Sequence, residues 1–202
     1  MAQGLQKLCD FRGGSAFPNA LFRAGSCGLL AARNWGPEVS DGIIYTGHGI
    51  CTADGKGRFS LPLDMRKAVK ASSGENKLCL GLHPELPCAL GFGLSHKQWL
   101  EQDVVDRQRA ARERGEAFDA EVEREKHFAD LEDLNFDDGG RFFLPDDIRQ
   151  MLGIGDTVVF VGIGVHIQLW DPEALLKSDG RSRRVRHSVE QFLAERAKGG
   201  GK

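Results

Sequence analysis

Lys56, Arg58 and Arg66 lie in the stretch D-G-K-G-R-F-S-L-P-L-D-M-R (54–66), and Arg141 and Arg149 in D-D-G-G-R-F-F-L-P-D-D-I-R (137–149). The two stretches stand 83 positions apart and agree, without a gap, at eight of thirteen positions. Arginine offers a planar fork of donors suited to phosphate oxygens or to a guanine edge, and lysine a point charge. Glycines at 55, 57, 139 and 140 keep each turn narrow and let backbone N–H groups approach an anion. Brought to one face, these residues would grip an anionic polymer, with Arg58 contributing most, Arg141 next and Lys56 touching backbone phosphate. Asp54 and Asp137 would repel phosphate. With Gly57 and Gly140, they read as loop organisers. A salt bridge from each arginine to its own loop aspartate, closing the turn, is a second role compatible with the first.

A repeat of this kind points to a duplicated small domain. Cys51 and Ala53, like Leu134 and Phe136, alternate with polar neighbours as strands do, and Phe59 and Leu61, like Phe142 and Leu144, resume the alternation after the turn. Each turn is therefore expected at the tip of a β-hairpin. A short helix follows Pro62 and Pro145, opened by Asp64 and Asp147, with Met65, Ala68 and Val69, or Ile148, Met151 and Leu152, on one face and Gly153 at the end of the second. Strands are expected at Leu78–Leu82, Ala89–Phe92, Thr157–Val161 and His166–Trp170. A unit of roughly 45 residues buries little surface alone, so the two halves should complete one barrel.

Between the repeats, Ser95 to Leu134 reads as helix with Ser95 as N-cap. Its apolar stripe is Trp99, Leu100, Val104, Val105, Phe118, Val122, Phe128 and Leu131, and Gly115 breaks it in two. Another helix opens at Asp171-Pro172-Glu173 and contains Leu175 and Leu176. The expected divisions are a poorly ordered extension (1–42), a first domain (48–95), a helical linker (96–130), a second domain (131–174) and a basic tail (178–202). From Lys177 onward the chain has a net charge of +5. Within it, Arg181 to Arg186 could add nonspecific affinity for nucleic acid, but a solvated or oligomer-facing segment is favoured.

The chain is 22.2 kDa with a formal charge of −2, which argues against a generic polycation. No run is long and apolar enough for a membrane span, and no compact signal peptide opens the chain, so a cytosolic protein is expected. The five cysteines form no CxxC pair and read as free thiols. Cys79, His83 and Cys88 could suit a metal by spacing, but no fourth ligand stands nearby and buried thiols are favoured. His48, His127 and His166 read as structural or exposed, the Gly-x-Gly triplets as strand ends and turns, and the mixed charges of 107–126 as a solvated helix face. No nucleophile elbow, triad or metal motif is present, so neither an enzyme nor a cofactor is expected.

A D-x-K-G-R turn running through alternating apolar residues to proline, then a helix with an arginine, resembles the DNA-binding hairpin of the AbrB/SpoVT superfamily. Two such units in one chain, separated by helix and each closed by a helix, resemble the MraZ family of bacterial transcriptional regulators of the division and cell-wall gene cluster. The resemblance covers about residues 43–178, and the second loop departs from it by lacking the counterpart of Lys56. It implies an α+β, β-rich fold of two swapped-hairpin half-barrels packed as an intrachain pseudo-dimer, each followed by a helix. It also implies a ring-shaped homo-oligomer in the cytoplasm, on the nucleoid, binding double-stranded DNA at direct repeats in its own promoter. Lys56, Arg58, Arg66, Arg141 and Arg149 would make the contacts. The competing expectation is a ring-forming β-barrel scaffold for protein partners, in which the arginines are only loop staples.

Overall fold

A computed structural model describes residues 42–199. The expectations for an N-terminal extension and for fraying at the glycine-rich end fall on 1–41 and 200–202, outside the described residues. The first repeat forms β1 (His48–Thr52), β2 (Phe59–Ser60), α1 (Leu63–Ser73), β3 (Lys77–Leu82) and β4 (Cys88–Phe92). Two helices follow, α2 (His96–Arg114) and α3 (Ala120–Phe128). The second repeat forms β5 (Glu132–Asn135), β6 (Arg141–Phe142), α4 (Asp146–Met151), β7 (Thr157–Gly162) and β8 (Ile167–Trp170), then α5 (Pro172–Lys177) and α6 (Arg183–Gly199). The class is α+β, with a mostly antiparallel sheet.

Six strands run in the order β1-β7-β8-β4-β3-β5, and β2 pairs with β6 in a separate two-stranded ribbon. Exchanging the repeats (β1 for β5, β3 for β7, β4 for β8) returns the same order reversed. Each repeat thus places its first strand on the other repeat: Cys51 lies opposite Val158, and Leu134 opposite Leu78. The burial shows a core shared by the repeats. Phe59 and Phe142 face each other across the ribbon at 0% and 1% exposure, with Leu61 and Leu144 buried beside them. Burying a phenylalanine side chain stabilises by about 1.5–3 kcal/mol, and across the ribbon each of these positions faces the other repeat.

The expected hairpins exist only at their turns. Asp54 N donates to Arg58 O at 2.9 Å, and Asp137 N to Arg141 O at 3.0 Å. Beyond the turn the arms part, because β1 joins β7 while β2 joins β6. Other local expectations also shift. Met151 is 68% exposed, and Ile154, past the left-handed Gly153, is buried instead. Val122 is exposed and α3 buries no residue, so the linker's buried apolar side chains are Leu100, Val104 and Ala111 of α2. Ser95 makes no capping bond, since its hydroxyl meets that of Ser72. The break at Gly115 is present, in a left-handed conformation.

The segment expected as a basic tail forms a helix. Residues 183–199 are a packed helix whose Val185 and Val189 join Trp170, Leu175, Val159 and Cys88 in one buried cluster. Ser188 meets His48 at 3.0 Å, whereas Arg196 donates to Asp156 and Thr157 at the far end of β7. Thr157 pairs with Thr52. Hence α6 runs in the same direction as β1 and antiparallel to β7, and its arginine-rich start lies at the end of β1 away from the first turn.

Candidate nucleic-acid interface

Each D-x-x-x-R sequence closes its own turn. Asp54 Oδ1 accepts from the backbone N–H of Lys56 (2.9 Å) and of Arg58 (3.0 Å), and its Oδ2 accepts from Arg58 Nε (2.9 Å) and Nη2 (2.7 Å). Asp137 Oδ1 accepts from Arg141 N at 2.9 Å and its Oδ2 from Arg141 Nε at 2.9 Å. Gly57 and Gly140 each take φ near +80°, where a side chain is strained, and their N–H groups close onto Asp54 O and Asp137 O. The carboxylates respond. Arg58's guanidinium, then its backbone N–H, hold Asp54 down to about 2, and the Arg141 backbone N–H is the main cause lowering Asp137.

The two turns meet. Arg58 Nη1 lies 3.6 Å from Asp137 Oδ2, so that one carboxylate stands between both loop arginines. Their side chains keep 22% and 46% of their surface open to solvent. Arg66 reaches from α1 to donate to Asp138 O at 3.0 Å, and Leu61 N donates to Gly140 O at 2.9 Å. Asn76 Nδ2 donates to Asp138 Oδ1 at 3.1 Å. The first repeat therefore fastens the second repeat's turn. Asn76 lies outside the repeated stretches and Asp138 is not one of their shared positions, so only the packing of the repeats reveals this contact.

Arg149, the counterpart of Arg66, is placed differently. Its guanidinium donates to Ile154 O and Gly155 O at 2.7–3.1 Å, closing the loop after its own helix. It sits 6.0 Å from the Phe59 ring centroid. Lys56 is exposed, and no ion pair involving it is found among the described residues. Around the paired turns, Lys56, Arg58, Arg66 and Arg141 stand against Asp54, Asp137 and Asp138, a small positive excess.

Elsewhere, burial pushes the Cys79 and Cys88 thiols up to about 12, and His83 Nδ1 accepts from the N–H groups of Glu85 and Leu86. Among the described residues no group of His, Cys, Asp or Glu could hold a metal ion, and no helix is long and apolar enough to cross a membrane.

A scan against protein-family models finds no match. Curated relatives do match. The transcriptional regulator MraZ of Rhodospirillum rubrum is 32% identical over 135 residues, which cover 65% of this chain and 82% of that protein. The MraZ regulators of Rickettsia bellii and Parvibaculum lavamentivorans are each 33% identical, over 59% and 60% of this chain and 75% and 71% of their own lengths. With paired D-x-x-x-R turns set against each other and relatives matched over most of their length, this chain belongs to the MraZ family.

Proposed function

We propose that the chain is a transcriptional regulator that grips double-stranded DNA with its paired turns. The observation that carries this reading is the Asp137 carboxylate standing between Arg58 and Arg141. A guanidinium has five N–H donors. Asp54 engages the Nε and one Nη of Arg58, which leaves donors for phosphate or a guanine edge. The staples and the DNA contacts work together: an arginine already fixed in direction loses less freedom on binding. Arg58 contributes most, Arg141 next, and Lys56 contacts backbone phosphate. Arg66 adds charge beside the second turn, and Arg149 flanks the site while bracing its own loop.

The small local excess of positive charge makes one copy a weak binder. Affinity then comes from a ring-shaped homo-oligomer on direct repeats in the promoter of the division and cell-wall cluster, since linkage multiplies binding by roughly 10²–10⁴. Repression there, in the cytoplasm and on the nucleoid, follows from the same reading. For the fold, we read domains at 48–95 and 131–174, joined by 96–130, as AbrB/SpoVT-like swapped-hairpin half-barrels in an intrachain pseudo-dimer. The exchange symmetry of the strand order supports this.

The competing reading, a protein-interaction scaffold, draws on the same staples. Mobility shifts separate the two, using the gene's own upstream DNA with several repeats, a single repeat, and random DNA at matched salt. Cooperative binding to repeats and weak binding to one are expected. Arg58→Ala should weaken binding and flatten the salt dependence by ~0.9 in log–log slope for each phosphate it no longer neutralises. Undiminished binding by the variant removes the site assignment, and no preference over random DNA favours the scaffold.

A further inference from the structure

A cavity of about 400 Å³ lies between the His48 end of β1 and the turn entering α6. That volume falls within the roughly 300–1,000 Å³ of small-molecule sites. Part of its lining is apolar, from Val161, Leu175 and Val185, and part is polar, from Gln168 and Arg181. Gln168 is only 3% exposed. Its Oε1 accepts from Trp170 Nε1 at 3.0 Å and from Arg181 Nη1 at 3.1 Å. Indole and guanidinium groups only donate, so the orientation of the carboxamide is settled, and its Nε2 keeps two N–H donors. Among the described residues no acceptor is found for that nitrogen.

Arg181 is held as firmly. Its guanidinium lies 4.4 Å over the Trp170 ring, and its Nε donates to Ser178 Oγ at 3.0 Å. Its partners are neutral, and no carboxylate among the described residues pairs with it. The first turn of α6, beside the cavity, contains Arg183 and Arg184 and no acidic residue. A fixed cation, spare amide donors and an apolar wall in one enclosure suit one class of ligand.

We propose that this cavity binds a small organic anion. A carboxylate or phosphate head meets Arg181 and Gln168, and a compact apolar body lies against Val161, Leu175 and Val185. The site is separate from the paired turns, which lie beyond the other end of β1.

Isothermal titration of the full chain with benzoate, phenyl phosphate and the neutral benzyl alcohol tests this. Both anions should bind saturably, one per chain, and benzyl alcohol at least ~10-fold more weakly. Arg181→Gln should weaken the anions about ten- to hundredfold. Ser182→Asp keeps the test secure against misfolding. The Ser182 carbonyl accepts the Arg186 N–H at 3.0 Å, so residue 182 caps α6, where a carboxylate sustains or raises helix stability. That variant should lose anion binding with its melting temperature unchanged or higher. The proposal fails if neither anion gives saturable heat up to about 10 mM, if benzyl alcohol binds as well, or if Ser182→Asp binds both anions undiminished.

Discussion

Phe59→Ala and Phe142→Ala, singly and together, probe whether the repeats share one core. The two rings come from different repeats, lie opposite each other in the ribbon, and are 0% and 1% exposed. Truncating a buried phenylalanine costs about 3–5 kcal/mol. Phe142 also meets the Phe160 ring edge-on at 6.4 Å, a contact worth about 0.5–1.5 kcal/mol beyond burial, so it should sit at the upper end. Against a total stability of roughly 5–15 kcal/mol, either change is severe. With a shift of about 2–4 °C per kcal/mol at this chain length, each should lower the melting temperature by roughly 6–20 °C. Because the two positions are cross-strand partners, the double variant should depart from additivity by about 0.5–3 kcal/mol. Denaturant titration followed by circular dichroism measures all three, and unfolding should remain one transition. Additive losses, or a variant in which one half melts while the other persists, would refute a shared core.

Other outcomes follow from the turns and from α6. Gly140→Ala should destabilise more than Gly57→Ala: both sit at φ near +80°, but only at 140 would a Cβ come within 2.7 Å of Arg66 Cδ. Paired chemical denaturation curves check this. Asp138→Asn removes a carboxylate from the paired turns while keeping the acceptor that Asn76 uses, and should tighten DNA binding at low salt, with the gain fading as salt rises, in a mobility-shift series. Arg196's guanidinium is the first cause holding Asp156 down to about 2. A depressed carboxylate adds stability that is full above its ordinary value near 3.9 and is lost as pH falls toward 2. An acid titration should therefore show Arg196→Ala converging on the parent chain over that window.

The local features were legible because they depend on near neighbours. The D-x-x-x-R spacing sets the carboxylate within reach of its own arginine, and the apolar runs of β3, β4, β7 and β8 are buried strands that declare themselves. What stayed hidden is long-range. Alternation around Phe59 and Phe142 shows that each must be covered, but not that each covers the other, so the arms of a turn read as partners. Arg66 and Arg149 occupy equal places in the repeat, yet Arg66 reaches the backbone carbonyl of Asp138 while Arg149 turns to the carbonyls of its own loop; Asp138 stands where the first loop has Gly55, and that difference gives Asn76 a carboxylate to hold. The packed C-terminal helix was obscured by its arginines, although Val185, Val189 and Leu193 recur at the four-residue spacing of a buried stripe.

The crossed placement of β1 also governs how the molecule comes into being. Thr52 pairs with Thr157, 105 positions later in the chain. On a ribosome adding about 5–20 residues per second, that partner emerges roughly 5–20 s afterwards. Throughout the interval the nascent β1 has exposed backbone groups with no partner strand, the condition under which a strand recruits a stranger. Newborn chains on one messenger are therefore exposed to mispairing with each other before either is finished, and a chaperone that covers β1 during that delay should raise the yield of correctly folded protein.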